Sequence, residues 1–313
     1  MSAIKPLYEN PVLIGVIVSD THIDIKHPFP WLPKFHLKRA LSDSEGCRPQ
    51  ADFFTIVGDI TSRGSEENWA LARDCFKKYK PAKNMLLAIG NHDGWGDDDY
   101  SAVISRFCRN MEQITGMKRE KPWFSQYVNG YPFIFLGSDD DSGCEASLSD
   151  EQVEWFAKEM EKAAGTEKPI FVFCHQSING KHGLPLTWDK DYTPDQDPMD
   201  GGLGVRSDEI EAIIKKYKNV YYFSGHSHMG LCGENSKKEN GFASIEQEGD
   251  TVLINFPSLA CGNHHGENNE FGIGVVLEVY ENKVVIRPRS VLRHKWVESV
   301  AIHSGKPYFE KTL

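Results

Sequence analysis

Val12-Leu13-Ile14-Gly15-Val16-Ile17-Val18-Ser19-Asp20-Thr21-His22 is an apolar run that ends in two metal-binding side chains two positions apart. The run shows no alternation of apolar and polar residues, which is how a strand buried on both faces reads. It therefore predicts an internal strand. The same form recurs along the chain: Phe53-Phe54-Thr55-Ile56-Val57 leads into Gly58-Asp59, and Met85-Leu86-Leu87-Ala88-Ile89 into Gly90-Asn91-His92-Asp93. Ile170-Phe171-Val172-Phe173-Cys174 leads into His175, and Val220-Tyr221-Tyr222-Phe223 into Gly225-His226-Ser227-His228. In open α/β sheets ligands bind outside the carboxyl ends of the strands, so polar clusters at those ends read as a site. In an extended segment residues i and i+2 point the same way, so each of the pairs Asp20/His22 and His226/His228 is placed to grip one ion together.

The donors at these strand ends are Asp20, Asp59, Asn91 and the histidines 22, 175, 226 and 228. All are oxygen or imidazole donors and none is a thiolate, a set that suits Mn, Fe or Zn and does not choose among them. Seven protein ligands exceed what one such ion takes, which points to two divalent ions sharing a carboxylate. Taken singly, each residue has a plainer reading: His175 as a satisfied core histidine, Gly58-Asp59 as a turn, Asn91 as an Asx-turn. Five sets in order, each after an apolar run, outweigh those readings.

The ordered set Asp-x-His, Gly-Asp, Gly-Asn-His-Asp, lone His and Gly-His-x-His, from Asp20 to His228, resembles the calcineurin-like metallophosphoesterase family. The resemblance implies an α/β fold, a four-layer α/β/β/α sandwich of two facing mixed sheets, with a binuclear metal centre at the strand ends. It implies that Asp20, His22 and His228 hold one ion, that Asn91, His175 and His226 hold the other, and that Asp59 bridges them. It further implies a metal-activated hydroxide as nucleophile and His92 as proton donor to the leaving group. Asp93 is adjacent to His92 and is placed to tune the loop.

The 313 residues carry no Pro/Gly/Ser-rich linker, and no cut before His228 leaves a complete site, so residues 1–313 are expected to form one metallophosphoesterase domain. Its C-terminal part from about residue 242 reads as β-rich. Thr251–Asn255, Gly274–Val279 and Lys283–Arg287 are strand-like, and the last two are joined by the turn at Tyr280-Glu281-Asn282. Three helices are predicted. One is capped by Ser149 with Gln152 completing a capping box and Val153, Phe156, Met160 and Ala163 inward; one is capped by Ser207 with Ile210, Ile213, Ile214 and Tyr217 inward; one runs from about Ser65 to Tyr79 with Trp69, Ala72, Phe76 and Tyr79 inward. A secretory signal is not expected, no apolar run is long enough to span a bilayer, and seven cysteines without Cys-x-x-Cys suit a reducing compartment, so a cytoplasmic protein without membrane attachment is expected. Cys174 reads as core.

A net charge of −10 without a basic patch argues against nucleic acid as partner, whereas a small phosphorylated substrate remains compatible because bound divalent ions make the pocket locally positive. Nothing in the chain points to a particular oligomeric state. The long connection from Gln176 to Arg206 reads as a substrate-shaping flap, with Trp188 or Tyr192 placed to stack on a base or sugar and Arg206 to clamp a phosphate. Among the remaining histidines, His182, His264 and His265 sit in Gly-rich loops that could approach the pocket. The expected function is hydrolysis of a small phosphodiester or nucleotide. Behind it come a phosphomonoesterase or protein phosphatase, then a nuclease, then a non-catalytic scaffold, which the filled ligand positions disfavour.

Overall fold

The computed structural model describes residues 3–95, 99–141, 143–181, 201–236, 243–262 and 270–313. The opening apolar run forms strand β1 (Leu13–Val18), buried at every residue. Parallel to it runs β2 (Phe53–Val57), and parallel to that β3 (Asn84–Ala88). The second sheet begins with the antiparallel pair β4 (Phe124–Val128) and β5 (Tyr131–Phe135) and continues in parallel through β6 (Ile170–Phe173) and β7 (Val220–Ser224). β8 (Ile245–Glu248) and β9 (Thr251–Asn255) complete it, β9 lying parallel to β7 and β8 at the edge. The chain then returns to the first sheet. β10 (Ile273–Tyr280) pairs antiparallel with β1, and β11 (Lys283–Ser290) pairs with β10 across the turn at Glu281 and Asn282. β12 (Lys295–Trp296) and β13 (Phe309–Thr312) both pair with β11. Both sheets are mixed.

The sheets face each other through aromatic rings. Phe133 of β5 meets Phe53 of β2 with ring centroids 4.7 Å apart. Phe135, Phe173 and Phe223 stack across β5, β6 and β7 at 4.6 and 5.0 Å. Side chains alternate across a strand, so the intervening Ile134, Val172 and Tyr222 face outward, where they pack with Val153, Phe156 and Met160 of helix α4 (Asp150–Ala164) and Ile210 and Ile214 of α5 (Ser207–Ile214). On the outside of the first sheet lie α1 (Trp31–Glu45), α2 (Glu66–Phe76) and α3 (Tyr100–Thr115), which bury Leu37, Leu41, Trp69, Phe76, Phe107 and Met111. The four layers follow: helices, sheet, sheet, helices. Truncating one of the fully buried phenylalanines to Ala would cost about 3–5 kcal/mol, the transfer free energy plus the cavity left behind.

The helix expectations hold with three corrections. Ser149 Oγ accepts from the Gln152 backbone N–H at the start of α4, but Gln152 does not return the bond. Its side chain instead bridges the Gly137 backbone, with Nε2 to Gly137 O at 2.8 Å and Oε1 accepting from Gly137 N at 3.1 Å, so it ties α4 to the end of β5. Ser207 is the first residue of α5 and does not cap it; its hydroxyl accepts from Asn179 N at 2.9 Å, which fastens the helix start to the segment after β6. α2 is capped by Ser65 and ends at Phe76, three residues short of Tyr79. A buried ion group joins the tail to the first helix: the Asp43 carboxylate of α1 accepts from Arg289 Nε at 2.5 Å and Nη2 at 2.7 Å and lies 2.5 Å from His294 Nδ1.

Candidate metal centre

All five sets of donors leave the carboxyl ends of buried strands and converge. Asp20 and His22 follow β1, Asp59 follows β2, Asn91 and His92 follow β3, His175 follows β6, and His226 and His228 follow β7. The ligand atoms of Asp20, His22, Asp59 and His228 lie within 4.8 Å of one another, as do those of Asp59, His175 and His226. Asp59 belongs to both groups. Asp20, Asp59 and His175 are almost completely buried, so polar atoms that would be wet on a surface face each other in a dry space.

The backbone does not reach this arrangement by extending the strands. Asp20, His22, Asp59, His226 and His228 have φ values of 56°, 44°, 50°, 68° and 50°, all in the left-handed region that L-residues enter seldom. The chain kinks at each of these ligands, and the i, i+2 argument fails for the second pair: His228 joins Asp20 and His22 while His226 joins His175. Two glycines permit the close approach. A Cβ at Gly90 would stand 2.1 Å from Asp59 Oδ1, and one at Gly225 would stand 2.0 Å from Ser19 Oγ and 2.4 Å from Asp20 Oδ2.

The donor atoms are oriented for a cation. His175 Nδ1 lies 2.7 Å from the Val57 carbonyl, which can only accept, so this nitrogen carries a hydrogen. In the neutral ring Nε2 then presents a lone pair toward Asp59 Oδ2, 3.1 Å away. Two acceptors at that distance repel unless a proton or a metal ion lies between them. Asn91 Oδ1 is buried without a hydrogen-bond partner among the described residues, an arrangement rare enough to call for a ligand. On the other side His22 Nε2 and His228 Nε2 converge at 3.0 Å, and Asp20 Oδ1 lies 3.0 Å from His228 Nε2. The residues therefore fit divalent cations.

Electrostatics agree with a site of mixed sign. Burial pushes the Asp20 carboxyl up, but His228 and His175 outweigh it and hold the group down at about 2. Burial pushes the His175 imidazole down, yet the Asp59 and Asp20 charges raise it to about 9. His22 is lowered to about 3, chiefly by burial. Both carboxylates are thus ionised in the folded chain.

His92 stands beside this cluster and outside it. Its backbone N–H donates to Asp59 Oδ1 at 2.9 Å and its Nδ1 lies 3.2 Å from the Ser62 carbonyl, which leaves Nε2 for other work. Asp93 is buried and accepts from Thr61 N at 2.8 Å, Thr61 Oγ1 at 3.0 Å and Gly90 N at 3.0 Å. Its carboxylate thereby locks the loop after β3 to the loop after β2. Burial, then the Asp59 charge, pushes Asp93 up to about 7.

Several supporting residues have no counterpart in the sequence reading. Asn255, the last residue of β9, donates from Nδ2 to Gly225 O at 2.6 Å and accepts from Ser227 Oγ at 2.9 Å, holding the His226–His228 loop from below. Ser258 Oγ donates to Asp20 O at 3.0 Å, and Cys261 Sγ lies 3.5 Å from His228 Nδ1. Asn255 carried a readable signal, a polar residue closing an apolar run. The substrate candidates divide. The structure does not bring Arg206 into the cluster; its guanidinium pairs with Asp150 and Glu209 and donates to the Leu148 carbonyl at 3.3 Å. Trp188, Tyr192, His182, His264 and His265 lie outside the described residues. Cys174 is buried in the core, as expected, and no helix among the described residues is long and apolar enough to cross a membrane.

A family model described as calcineurin-like phosphoesterase matches residues 16–230. A probable glycerophosphodiester phosphodiesterase from Arcobacter nitrofigilis is 25% identical over 175 residues, covering 52% of this chain and 56% of its own length. The chain thus spans little more than half of that relative. A dimetal phosphatase from Danio rerio superposes with a TM-score of 0.57 at 13% identity, covering 90% of this chain and 97% of its own. A purple acid phosphatase from yellow lupin seeds gives 0.63 at 12% identity, covering 97% of this chain and 55% of its own. At such identities the likeness speaks for the fold.

Proposed function

Because the chain belongs to the calcineurin-like phosphoesterase family, we propose that it hydrolyses phosphoesters, with a small phosphodiester or nucleotide-like compound as substrate. The observation that carries this reading is the pair of ligand groups that share Asp59 at the strand ends. Asp20, His22, Asp59 and His228 would hold one divalent ion, and Asn91, His175 and His226 with Asp59 the other. When bound, two such ions supply Lewis acidity toward the phosphoryl oxygens and make an attacking water acidic enough to act near neutral pH. An all-oxygen-and-imidazole donor set favours Mn, Fe or Zn over soft metals.

The chain's own residues supply the rest. His175 is oriented by the Val57 carbonyl so that Nε2 faces inward. His92 keeps Nδ1–H on the Ser62 carbonyl and delivers a proton from Nε2 to the departing oxygen. The glycerophosphodiester phosphodiesterase likeness supports a diester over a monoester. The test is a panel of phosphomonoesters, cyclic nucleotides and diesters assayed with and without added Mn²⁺. Metal-dependent turnover highest on a diester is expected; turnover confined to monoesters would remove the diester preference, and no metal-dependent turnover on any of them would remove the reading.

A further inference from the structure

We propose that Trp95 is the platform for the organic part of the leaving group, so that the site selects phosphoesters whose departing alcohol carries a flat or apolar substituent. The assignment rests on the reading of His92 as the proton donor. Asn91–Asp93 form one tight helical turn, and two more turn bonds continue it: Gly94 N donates to Asn91 O at 3.1 Å and Trp95 N to His92 O at 3.3 Å. The turn lays the indole flat on the imidazole, with ring centroids 4.7 Å apart and planes 13° from parallel. The His22 ring meets His92 edge-on at 4.8 Å and 84°. Together with the bond at Nδ1, these contacts fix the plane of His92.

The indole does more than brace that ring. Trp95 is 48% exposed, and an indole is larger than the imidazole it covers, so part of its face stays open beside His92. An oxygen that takes a proton from Nε2 lies in the imidazole plane, and in the proposed arrangement the carbon bonded to that oxygen rests against the open part of the indole. A flat or apolar substituent there gains ring contact; a small polar alcohol does not. The retained phosphoryl group, held on the metal side, does not meet Trp95.

The experiment uses the metal-loaded protein and the Trp95→Ala and Trp95→Phe variants, with bis(4-nitrophenyl) phosphate as substrate and two product inhibitors, 4-nitrophenol and inorganic phosphate. Trp95→Ala is expected to raise the inhibition constant for 4-nitrophenol about 2- to 12-fold, the range of one aromatic pair, and to leave that for phosphate unchanged. Trp95→Phe should retain most of the 4-nitrophenol binding. Equal shifts for both inhibitors, or none for 4-nitrophenol, would overturn the proposal. So would a lower kcat with the 4-nitrophenol constant unmoved, because that marks a residue that only braces His92. Isothermal titration of the same two inhibitors needs no turnover, so failure of the phosphoesterase reading shows as an inactive wild type, and failure of the Trp95 assignment as an unchanged ratio of the two affinities.

Discussion

At the scale of single residues the site separates groups that hold from groups that act. Asp59 reaches both donor clusters and also accepts the His92 backbone N–H, so one carboxylate sets the spacing of the clusters and the position of the residue proposed as proton donor. Asp59→Asn keeps the size and removes the charge. It is expected to abolish activity and lower the metal content below two ions per chain, as read by elemental analysis; full occupancy with near-normal turnover would sink the bridging role. His92 makes no contact of the kind a ligand makes, and its loss should look different. His92→Ala should retain most of its metal and lose on the order of 10²–10⁴ in kcat, the usual range for general acid catalysis. The loss should shrink for esters of acidic phenols, which leave without help. A uniform loss across leaving groups would count against proton donation from Nε2.

Among the elements, it is a strand with no ligand of its own that secures the second histidine pair. Asn255 closes β9 and bonds both Gly225 and Ser227, the residues on either side of His226. Asn255→Leu leaves a buried carbonyl and hydroxyl short of a partner, a cost of about 1–3 kcal/mol. It should lower both the denaturation midpoint and the metal affinity; a variant that loses stability but keeps wild-type metal affinity would show that the loop holds itself. The strands were legible because internal strands read as continuous apolar runs and the polar residue that follows each one is conspicuous. α1 was hidden for a physical reason: it starts after Pro30 without a side-chain cap, carries Pro33, and has no acidic residue in its first turn. α3 does carry the usual signals, with Asp99 as cap, Gly116 in the left-handed conformation at its end, and Val103, Phe107, Met111 and Ile114 on its buried face. The kinks at the ligands were not legible at all. Asp and His enter positive φ more often than most L-residues but far less freely than glycine, so the tertiary contacts are needed to reveal it. The capping-box reading at Gln152 failed likewise, because Gly137, fifteen positions away, takes both ends of its amide.

For the molecule as a whole, the donors come from both sheets, so an ion held between them ties the two halves of the core together. β1, β2 and β3 of the first sheet supply Asp20, His22, Asp59 and Asn91, while β6 and β7 of the second supply the remaining three histidines. A ligand that binds only the native state stabilises it by about 2.7 kcal/mol at a hundred times its dissociation constant. Removing metal with a chelator should therefore lower the melting temperature, and adding Mn²⁺ back should restore it; identical melting of the stripped protein and of protein shown to hold metal would argue against ions between the sheets. The left-handed kinks at five ligands carry an opposite tendency. An L-residue in that region costs about 1 kcal/mol or more relative to glycine, so each of these positions trades sturdiness for a donor atom. His22→Gly and His22→Ala discard the same imidazole, yet the glycine variant should melt higher, because it alone relaxes the backbone at φ 44°. In the metal-free protein, then, glycine can be the sturdier residue at these positions, and a search for heat-resistant variants run without metal and without selection for turnover would drift toward glycine where the centre is proposed.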